Sequence, residues 1–176
     1  MSVTEIRLIV LDVDGVLTSG HLHYHAAGDF NTGEIKTFHV HDGCAIKIWQ
    51  EQGGTVAILS GRRSFSVQTR ARELGIESVL QGSKDKLSDY RKLLKKLQME
   101  DQQVCCAGDD LPDLQILVRC GFAVAPADAV PAVKRVADYV TRCPGGAGAV
   151  AELIELILRK QGRWPQPLHD EGGSNT

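Results

Sequence analysis

Short apolar runs alternate along this chain with segments of helical periodicity. The strongest runs are Ile6–Leu11, Thr55–Leu59 and Val104–Ala107. This alternation is typical of strand–helix–strand units, whose strands form a mostly parallel sheet with helices on both faces. The sequence therefore predicts a three-layer α/β domain.

The weaker elements complete the same alternation. Asp42 and Ser64 are placed as N-caps of the helices that follow them, because both side chains can accept a hydrogen bond from a first-turn amide. The remaining predicted elements are strands at Ile76–Leu80 and Phe122–Val124, and helices at Leu87–Leu97, Leu114–Arg119 and Val150–Leu158.

The segment between the first strand and Asp42 has no helical period. Gly20–His25 and Glu34–Phe38 both alternate by twos, with turn residues at Ala27-Gly28-Asp29 between them. This pattern predicts a projecting β-hairpin over about residues 18–38, which needs a surface to lie on, either its own domain or another subunit. The domain is expected to span residues 1–163, followed by a flexible C-terminal tail at 164–176.

Composition excludes several classes of function. Among 176 residues, 20 Lys and Arg stand against 22 Asp and Glu, so the formal charge is −2 and no basic field favours nucleic acid or a membrane surface. No apolar stretch is long enough to span a bilayer. The five cysteines lack C-x-x-C spacing and are interpreted as free thiols, which favours a cytoplasmic protein.

Polar residues follow the three strongest strands. The first strand leads into Asp12-Val13-Asp14-Gly15, the second into Ser60-Gly61-Arg62 and the third into Gly108-Asp109-Asp110, while Lys86 opens a helix. Ligands of parallel α/β sheets bind at the carboxyl ends of the strands. We therefore expect these residues to converge on one site.

The residue types indicate the chemistry of that site. Asp12, Asp14 and Asp109 offer carboxylate oxygens to a hard cation such as Mg²⁺, and without a cation they would repel one another and take up protons. Three further groups are donors suited to a bound phosphate: the Ser60 hydroxyl, the Gly61 amide and the Lys86 ammonium.

This combination predicts phosphoryl transfer through an aspartyl-phosphate, with Asp12 as the nucleophile. The second carboxylate, Asp14, fits an acid that protonates an alkoxide leaving group and then a base that activates water. The competing interpretation is that these acids are helix caps and turn residues, as aspartate often is.

The elements D-x-D-G-V, S-G-R, D-K and G-D-D-x-x-D, in this order, resemble the four motifs of the haloacid dehalogenase superfamily. The resemblance implies a Rossmann-like sheet, and the hairpin without an inserted cap domain resembles the capless branch. From about Arg7 to Gly162 the chain is also similar to bacterial 3-deoxy-D-manno-octulosonate 8-phosphate phosphatases, through these segments: Phe38–Gly43, Val67–Ile76, Gln81–Lys86, Ala137–Arg142 and Gly145–Glu152.

This resemblance implies a Mg²⁺-dependent phosphatase of that sugar acid in lipopolysaccharide precursor synthesis. Asp12 would be the nucleophile and a metal ligand, Asp14 the acid/base and a ligand through its backbone oxygen, and Asp109 the third ligand. Phosphate-binding and supporting positions are Ser60, Gly61, Lys86, Asp110 and Asp113. Positions expected to line the substrate are His39, His41, Asp42, Gly43, Lys47, Arg62 and Arg70.

The resemblance also implies a homotetramer whose hairpins assemble, so that neighbouring subunits cover the active site. The two arginines fit a keto sugar acid, because arginine suits bidentate recognition of a carboxylate.

Four positions depart from the family pattern. His39 and His41 stand where Asn and Arg are usual, Ala151 replaces an Arg, and Ser19 replaces an Asp. These departures concern the substrate, and a nine-carbon sialic-acid-type 9-phosphate is the near alternative. Arg62 favours the eight-carbon acid, since relatives acting on nine carbons tend to have Glu there.

Two further hypotheses stay open. One is a non-catalytic oligomerisation domain, although the retention of the acidic motifs argues against it. The second concerns His21, His23 and His25, which share one face of a hairpin strand and either bind a second metal such as zinc or nickel, or pack at an interface or face water.

Overall fold

The computed structural model describes residues 3–27 and 31–165. In chain order the strands are β1 (Leu8–Leu11), β2 (His23–Ala27), β3 (Asn31–Ile35), β4 (Thr55–Ser60), β5 (Ser78–Gln81), β6 (Val104–Ala107), β7 (Phe122–Ala125) and β8 (Tyr139–Val140). The helices are α1 (Val40–Glu51), α2 (Phe65–Glu73), α3 (Lys86–Leu97), α4 (Leu114–Leu117), α5 (Pro131–Val136) and α6 (Ala149–Lys160).

Within these ranges, six parallel strands form one sheet in the order β5-β4-β1-β6-β7-β8. Strand β1 lies near the middle, where Leu8 is in register with Thr55 of β4 and with Val104 of β6. The carboxyl ends of β1, β4 and β6 are therefore neighbours at one edge, which places the three predicted motifs together. The predicted α/β architecture is confirmed.

Both faces of the sheet are covered, because the buried strands are apolar on both sides. Ile9 and Leu11 of β1 pack with α1, α2 and α6, whereas Leu8 and Val10 pack with α3, α4 and α5. Every residue of β1, β6 and β7 is buried. This rigid central layer holds the strand ends in fixed positions.

Some element boundaries differ from the sequence predictions. Helix α1 begins at Val40, so Asp42 lies in its first turn and is not its N-cap. Helix α2 does begin after Ser64, but the serine side chain makes no capping hydrogen bond. Helix α4 is only Leu114–Leu117, shorter than predicted. Helix α5 and the two-residue β8 were not predicted, because both are too short to show a clear period.

The predicted hairpin is present as antiparallel strands β2 and β3, in which His23 pairs with Ile35. Each strand is displaced by a few residues from its predicted range. Part of the predicted turn, Gly28-Asp29, lies outside the described residues. Glu34 and Lys36 are partly buried, while Ile35 between them is 54% exposed. This arrangement reverses the usual pattern of apolar residues inside and charged residues outside.

Helices α1 and α6 pack against each other. Both end on the side of the sheet opposite the carboxyl ends of β1, β4 and β6. There the Trp49 indole donates to the Thr55 carbonyl at 2.9 Å, and the Arg163 guanidinium lies 6.0 Å from the Trp49 ring. Arg159 lies similarly over Trp164, at 5.5 Å. The predicted tail falls mostly at 166–176, outside the described residues, and stays a prediction. No described helix is long and apolar enough to cross a bilayer.

Candidate active site

A polar cleft of about 300 Å³ opens at the carboxyl ends of β1, β4 and β6. It brings together residues that are far apart in sequence but were predicted to converge. Those predicted residues are Asp12, Asp14, Ser60, Gly61, Arg62, Lys86, Asp109, Asp110 and Asp113. Gly20 and Pro112 also line the cleft, and sequence analysis gave them no role.

Lys86, the first residue of α3, joins two of the aspartates. Its Nζ lies 3.0 Å from Oδ1 of Asp12 and 2.7 Å from Oδ1 of Asp113, and its side chain is only 7% exposed. Burial acts to lower the pKa of Lys86, but the two carboxylates outweigh it and raise that pKa. Lys86 is therefore a fixed positive charge at the base of the cleft.

Asp113 is fully enclosed and uses both of its oxygens within the protein. Oδ1 accepts from Lys86, and Oδ2 accepts from the backbone amides of Asp109 at 3.2 Å and Asp110 at 3.4 Å. These bonds hold the loop after β6 against α3. Asp113 thus supports the site by positioning Lys86 and Asp109.

The carboxylates crowd together tightly enough to resist ionisation. Oxygens of Asp12, Asp109 and Asp113 lie within 4.8 Å of one another. Burial, and then the charge of Asp113, raise the pKa of Asp12 to about 6 despite Lys86. Burial, and then the charges of Asp12, Asp113 and Asp110, raise the pKa of Asp109 to about 7. When ionised, three carboxylates around one lysine leave a net negative charge, which fits a divalent cation.

The hydrogen bonds of each carboxylate indicate which residues would hold that cation. The oxygens of Asp113 are engaged by Lys86 and by two amides, whereas no such protein donors occupy Asp109 among the described residues. Asp113 is therefore a supporting group, whereas Asp109, and Asp12 through an oxygen that Lys86 does not contact, are the carboxylates left to bind a metal. The residues present fit the predicted Mg²⁺ site.

Gly15 is required by the close approach of the first motif to Asp109. It has φ +89°, and a β-carbon there would collide with the Asp109 carboxylate. Glycine is thus needed for both the backbone conformation and the space.

Asp14 belongs to a ring of four charged side chains that sequence analysis did not anticipate. Lys36 Nζ bonds to Oδ1 of Asp14 and lies 3.3 Å from Oε1 of Glu34. Arg62 completes the ring, with Nη2 2.7 Å from the same Glu34 oxygen and Nε 3.6 Å from Oδ2 of Asp14. The sequence did contain a signal for this ring. In Glu34-Ile35-Lys36 the two charged residues share one face of an extended segment, and Ile35 lies on the other face. We define these four residues as the charged ring.

The predicted phosphate-binding residues at the end of β4 are held by backbone amides. Ser60 is buried, its hydroxyl accepts from the Arg62 amide at 3.2 Å, and its carbonyl accepts from the Ser83 amide at 3.1 Å. These bonds tie the loop after β4 to the turn before α3, so Gly61 and Lys86 line the same cleft.

Arg70 does not line this cleft. It lies in a second groove, of about 520 Å³, beside Phe38, Val40 and Phe65. Its guanidinium is 5.9 Å from the Phe38 ring and 3.2 Å from Glu73. Gly43 packs against it, and a β-carbon at that position would collide with the guanidinium.

The remaining predicted substrate positions also lie outside the cleft. Asp42 is buried, and its Oδ1 accepts from the Ala151 amide at 2.8 Å. His39 and His41 contact each other edge-on, with ring centroids 4.8 Å apart, and Lys47 is exposed on α1. Of the seven predicted substrate positions, Arg62 is the one that lines the described cleft.

The hairpin histidines show no assembled metal site in the part that the structure describes. The rings of His21 and His23 are stacked with centroids 6.3 Å apart, and Nδ1 of His21 lies 3.0 Å from the Ser19 hydroxyl. The His25 side chain is outside the described set.

Comparison with known proteins agrees with this geometry. A family model described as haloacid dehalogenase-like hydrolase matches residues 77–154. A 3-deoxy-D-manno-octulosonate 8-phosphate phosphatase from Yersinia pestis is 43% identical over 156 residues, which cover 89% of this chain and 81% of that protein. The chain belongs to this phosphatase family.

Solved structures of the octulosonate phosphatase family share the fold. The enzyme from Moraxella catarrhalis, in complex with magnesium, phosphate and KDO, has a TM-score of 0.87 and 38% identity, covering 92% of this chain and 91% of that one. The cobalt-bound form from Haemophilus influenzae has a TM-score of 0.85 and 39% identity, covering 92% of each chain.

Proposed function

We propose that this protein is a Mg²⁺-dependent phosphatase that hydrolyses 3-deoxy-D-manno-octulosonate 8-phosphate to the free sugar acid and inorganic phosphate, in lipopolysaccharide precursor synthesis. One observation carries the proposal: Asp12, held by Lys86, shares a single cleft with Asp14, Asp109 and Ser60. Family membership supports the choice of substrate.

The first step forms an aspartyl-phosphate. A carboxylate oxygen of Asp12 attacks phosphorus, and the bond between phosphorus and the sugar oxygen breaks. The Asp14 carboxyl donates its proton to the departing oxygen, which leaves as the sugar hydroxyl. Lys86 holds Asp12 and is itself fixed by its contact to Asp113, so the nucleophile stays aimed at the cleft.

The second step returns the enzyme to its starting state. A water molecule attacks phosphorus, and the Asp14 carboxylate takes one of its protons. The bond between phosphorus and the Asp12 oxygen breaks, which restores the Asp12 carboxylate and releases inorganic phosphate. Asp14 is protonated again, ready for the next substrate.

Asp12, Asp109 and the backbone oxygen of Asp14 would hold Mg²⁺. When bound, the cation neutralises the negative charge of the phosphoryl group and of the carboxylates. The raised pKa values of Asp12 and Asp109 support this assignment, because a nearby cation would restore both to the ionised form.

The donors around the cleft fit a phosphate and a carboxylate. Ser60, Gly61 and Lys86 would bind the phosphoryl oxygens, and Arg62 would bind the substrate carboxylate. The remaining predicted substrate positions lie outside this cleft. They would contact a substrate only if it were bound between subunits, and would otherwise affect it indirectly by stabilising the fold. These positions are His39, His41, Asp42, Gly43, Lys47 and Arg70.

The hairpin supports a homotetramer. Leu22, Tyr24 and Ile35 are 44%, 60% and 54% exposed, with Tyr24 and Ile35 on opposite faces of the hairpin. These are exposed apolar side chains on an element that is marginally stable alone. Val40 and Phe65, beside the Arg70 groove, are also exposed. A neighbouring hairpin would cover this surface and close the open cleft. The free cysteines Cys44, Cys105, Cys106, Cys120 and Cys143 support a reducing, cytoplasmic setting.

Phosphate release tests the function. The assay compares the eight-carbon keto acid phosphate with a nine-carbon sialic-acid-type 9-phosphate and with hexose phosphates, each with Mg²⁺ and with EDTA. We expect a strong preference for the eight-carbon acid that EDTA abolishes. Preference for the nine-carbon acid would overturn the substrate, and no activity with any substrate would favour the non-catalytic oligomerisation domain.

The Asp12→Asn variant tests the nucleophile. The amide cannot attack phosphorus, so kcat should fall at least about 10³-fold. The size of the oligomer, measured by light scattering, should not change. Phosphate release at the wild-type rate would show that Asp12 is not the nucleophile.

A further inference from the structure

The charged ring connects the hairpin to the acid/base of the proposed reaction. Each carboxylate oxygen of Asp14 faces a different cation, Oδ1 facing Lys36 and Oδ2 facing Arg62. Glu34 contacts both cations through one oxygen, at 3.3 Å and 2.7 Å. The Asp14 carboxylate therefore contacts a cation on each side, and both cations are held in place by Glu34.

The burial of these side chains separates their roles. Lys36 is 2% exposed, Glu34 14% and Asp14 18%, whereas Arg62 is 44% exposed. A lysine this enclosed cannot reach a substrate in the cleft, so any effect it has on the reaction passes through its contacts in the charged ring, Asp14 directly and Arg62 by way of Glu34. Arg62, by contrast, is open to the cleft and belongs to the proposed substrate-binding set.

We infer that Lys36 and Glu34 are positioning residues that hold the Asp14 carboxyl at the reacting phosphoryl group. The inference rests on the proposed function, since it assigns these hairpin residues to the two proton transfers of that reaction. Correct placement of an acid or base contributes strongly to catalysis, and a side chain locked by fixed neighbours is placed more accurately than a free one.

Glu34 is suited to fix the two cations. Burial acts to raise its pKa, but hydrogen bonds from Arg62 and Lys36 outweigh burial and lower it, so Glu34 is ionised at neutral pH. Its negative charge also prevents Lys36 and Arg62 from repelling each other across Asp14. Glu34 is thus the member that keeps both cations on Asp14.

A different role for the ring would be to tie the hairpin to the domain. The Ser66 hydroxyl also donates to the Glu34 carbonyl at 3.5 Å, so this part of the hairpin has such a tie without the ring. An anchoring role and a positioning role predict different kinetics. Loss of an anchor would affect both chemical steps and stability, whereas loss of positioning would affect only the steps that need Asp14 to move a proton.

A substrate with a good leaving group separates the two roles. The phenolate of para-nitrophenyl phosphate departs without a proton, so its first step does not need Asp14 as an acid. Its second step still needs Asp14 as the base for water. If Lys36 positions Asp14, its removal should leave the first step fast and slow the second.

The experiment measures Lys36→Met against wild type by steady-state and stopped-flow kinetics with Mg²⁺. On the sugar-acid phosphate, we expect kcat to fall about 10- to 100-fold while KM changes less than about threefold. On para-nitrophenyl phosphate, we expect a burst of about one nitrophenolate per subunit, which wild type lacks.

Three further variants make the result specific. Lys36→Arg keeps the cation and should recover part of kcat. Glu34→Gln is nearly isosteric, should fold if Lys36→Met does not, and should show a smaller loss with the same burst. Lys92→Met removes an exposed lysine whose partner is Asp89 and should match wild type.

The outcomes are distinct. A normal kcat in Lys36→Met and Glu34→Gln, or equal losses on both substrates without a burst, would overturn the positioning role. An inactive wild-type chain would instead overturn the proposed function, and the positioning role with it.

Discussion

At the scale of single residues, the site depends on how closely the first motif approaches the third carboxylate. Gly15 adopts φ +89° directly beneath Asp109, and Asp113 holds the Asp109 amide from the other side. Asp109 therefore has little room to move. A change at Gly15 acts on the carboxylate that we propose binds the metal, although glycine carries no functional group.

The Gly15→Ala variant should weaken Mg²⁺ binding and lower activity at least about tenfold, because the methyl group displaces the Asp109 carboxylate and strains the backbone. Calorimetric Mg²⁺ titration and phosphate release measure both effects. Gly75→Ala is the matched control, since Gly75 has φ +67° but nothing within 4 Å. It should lose about 1 kcal/mol of stability and keep its activity. Equal Mg²⁺ affinities in the two variants would contradict the prediction.

At the scale of elements, Asp42 links two helices. Gly148, the N-cap of α6, offers no side chain, and Asp42 of α1 instead accepts a hydrogen bond from the Ala151 amide in the first turn of α6. This is the bond that an N-cap side chain usually makes within its own helix. The sequence resemblance placed Asp42 at the substrate, whereas the geometry gives it a capping role.

Asp42→Ala should lower the free energy of unfolding by about 1–2 kcal/mol, because a first-turn amide of α6 loses its acceptor. Asp42→Asn retains an acceptor oxygen and should lose less. Urea unfolding of both variants measures the difference. A raised KM with unchanged unfolding would instead support the predicted contact with substrate.

The sequence predicted the layers, the strand ends and all residues of the cleft except Gly20 and Pro112, because hydrophobic periodicity and strand-end motifs are local signals. It did not predict the Asp42–Ala151 bond, whose partners are 109 residues apart, or the inward-facing charges at Glu34 and Lys36. Those contacts depend on how separate elements meet. Short elements such as α5 and β8 were also not predicted, because they contain too few residues to show a hydrophobic period.

At the scale of the whole molecule, the crowded carboxylates oppose folding when no metal is bound. Their pKa values in the folded protein, about 6 for Asp12 and about 7 for Asp109, are above the usual 3.8. The folded state therefore binds more protons than the unfolded state at intermediate pH. Below about pH 4 both states are protonated and the penalty is absent; it grows as the pH rises to about 7.

We expect the melting temperature in EDTA to fall between about pH 4 and pH 7. The free energy of unfolding should fall by at most about 6 kcal/mol, and by less because the two groups are coupled. Mg²⁺ should reverse the fall above pH 6, since it binds the ionised carboxylates of the folded state. Asp12→Asn should flatten the curve in EDTA. A wild-type melting temperature independent of both pH and Mg²⁺ would rule out this account.

The assembly provides the second prediction at this scale. Ile35→Asp replaces an exposed apolar side chain of the hairpin, the neighbour of His23, by a charge and should convert the proposed tetramer to smaller species in light scattering. Val118→Asp, at a 63% exposed position on the end of α4, is the control and should leave the oligomer unchanged. A tetramer that persists in Ile35→Asp would place the interface elsewhere.

Both tryptophans of the chain, Trp49 and Trp164, lie beside arginines at the end of the sheet remote from the cleft. Intrinsic ultraviolet emission should therefore be insensitive to phosphate entering the cleft, but should change when the segment from Arg159 to Trp164 detaches. The chain thus carries its own optical reporter for the region where α6 ends, separate from any signal of catalysis.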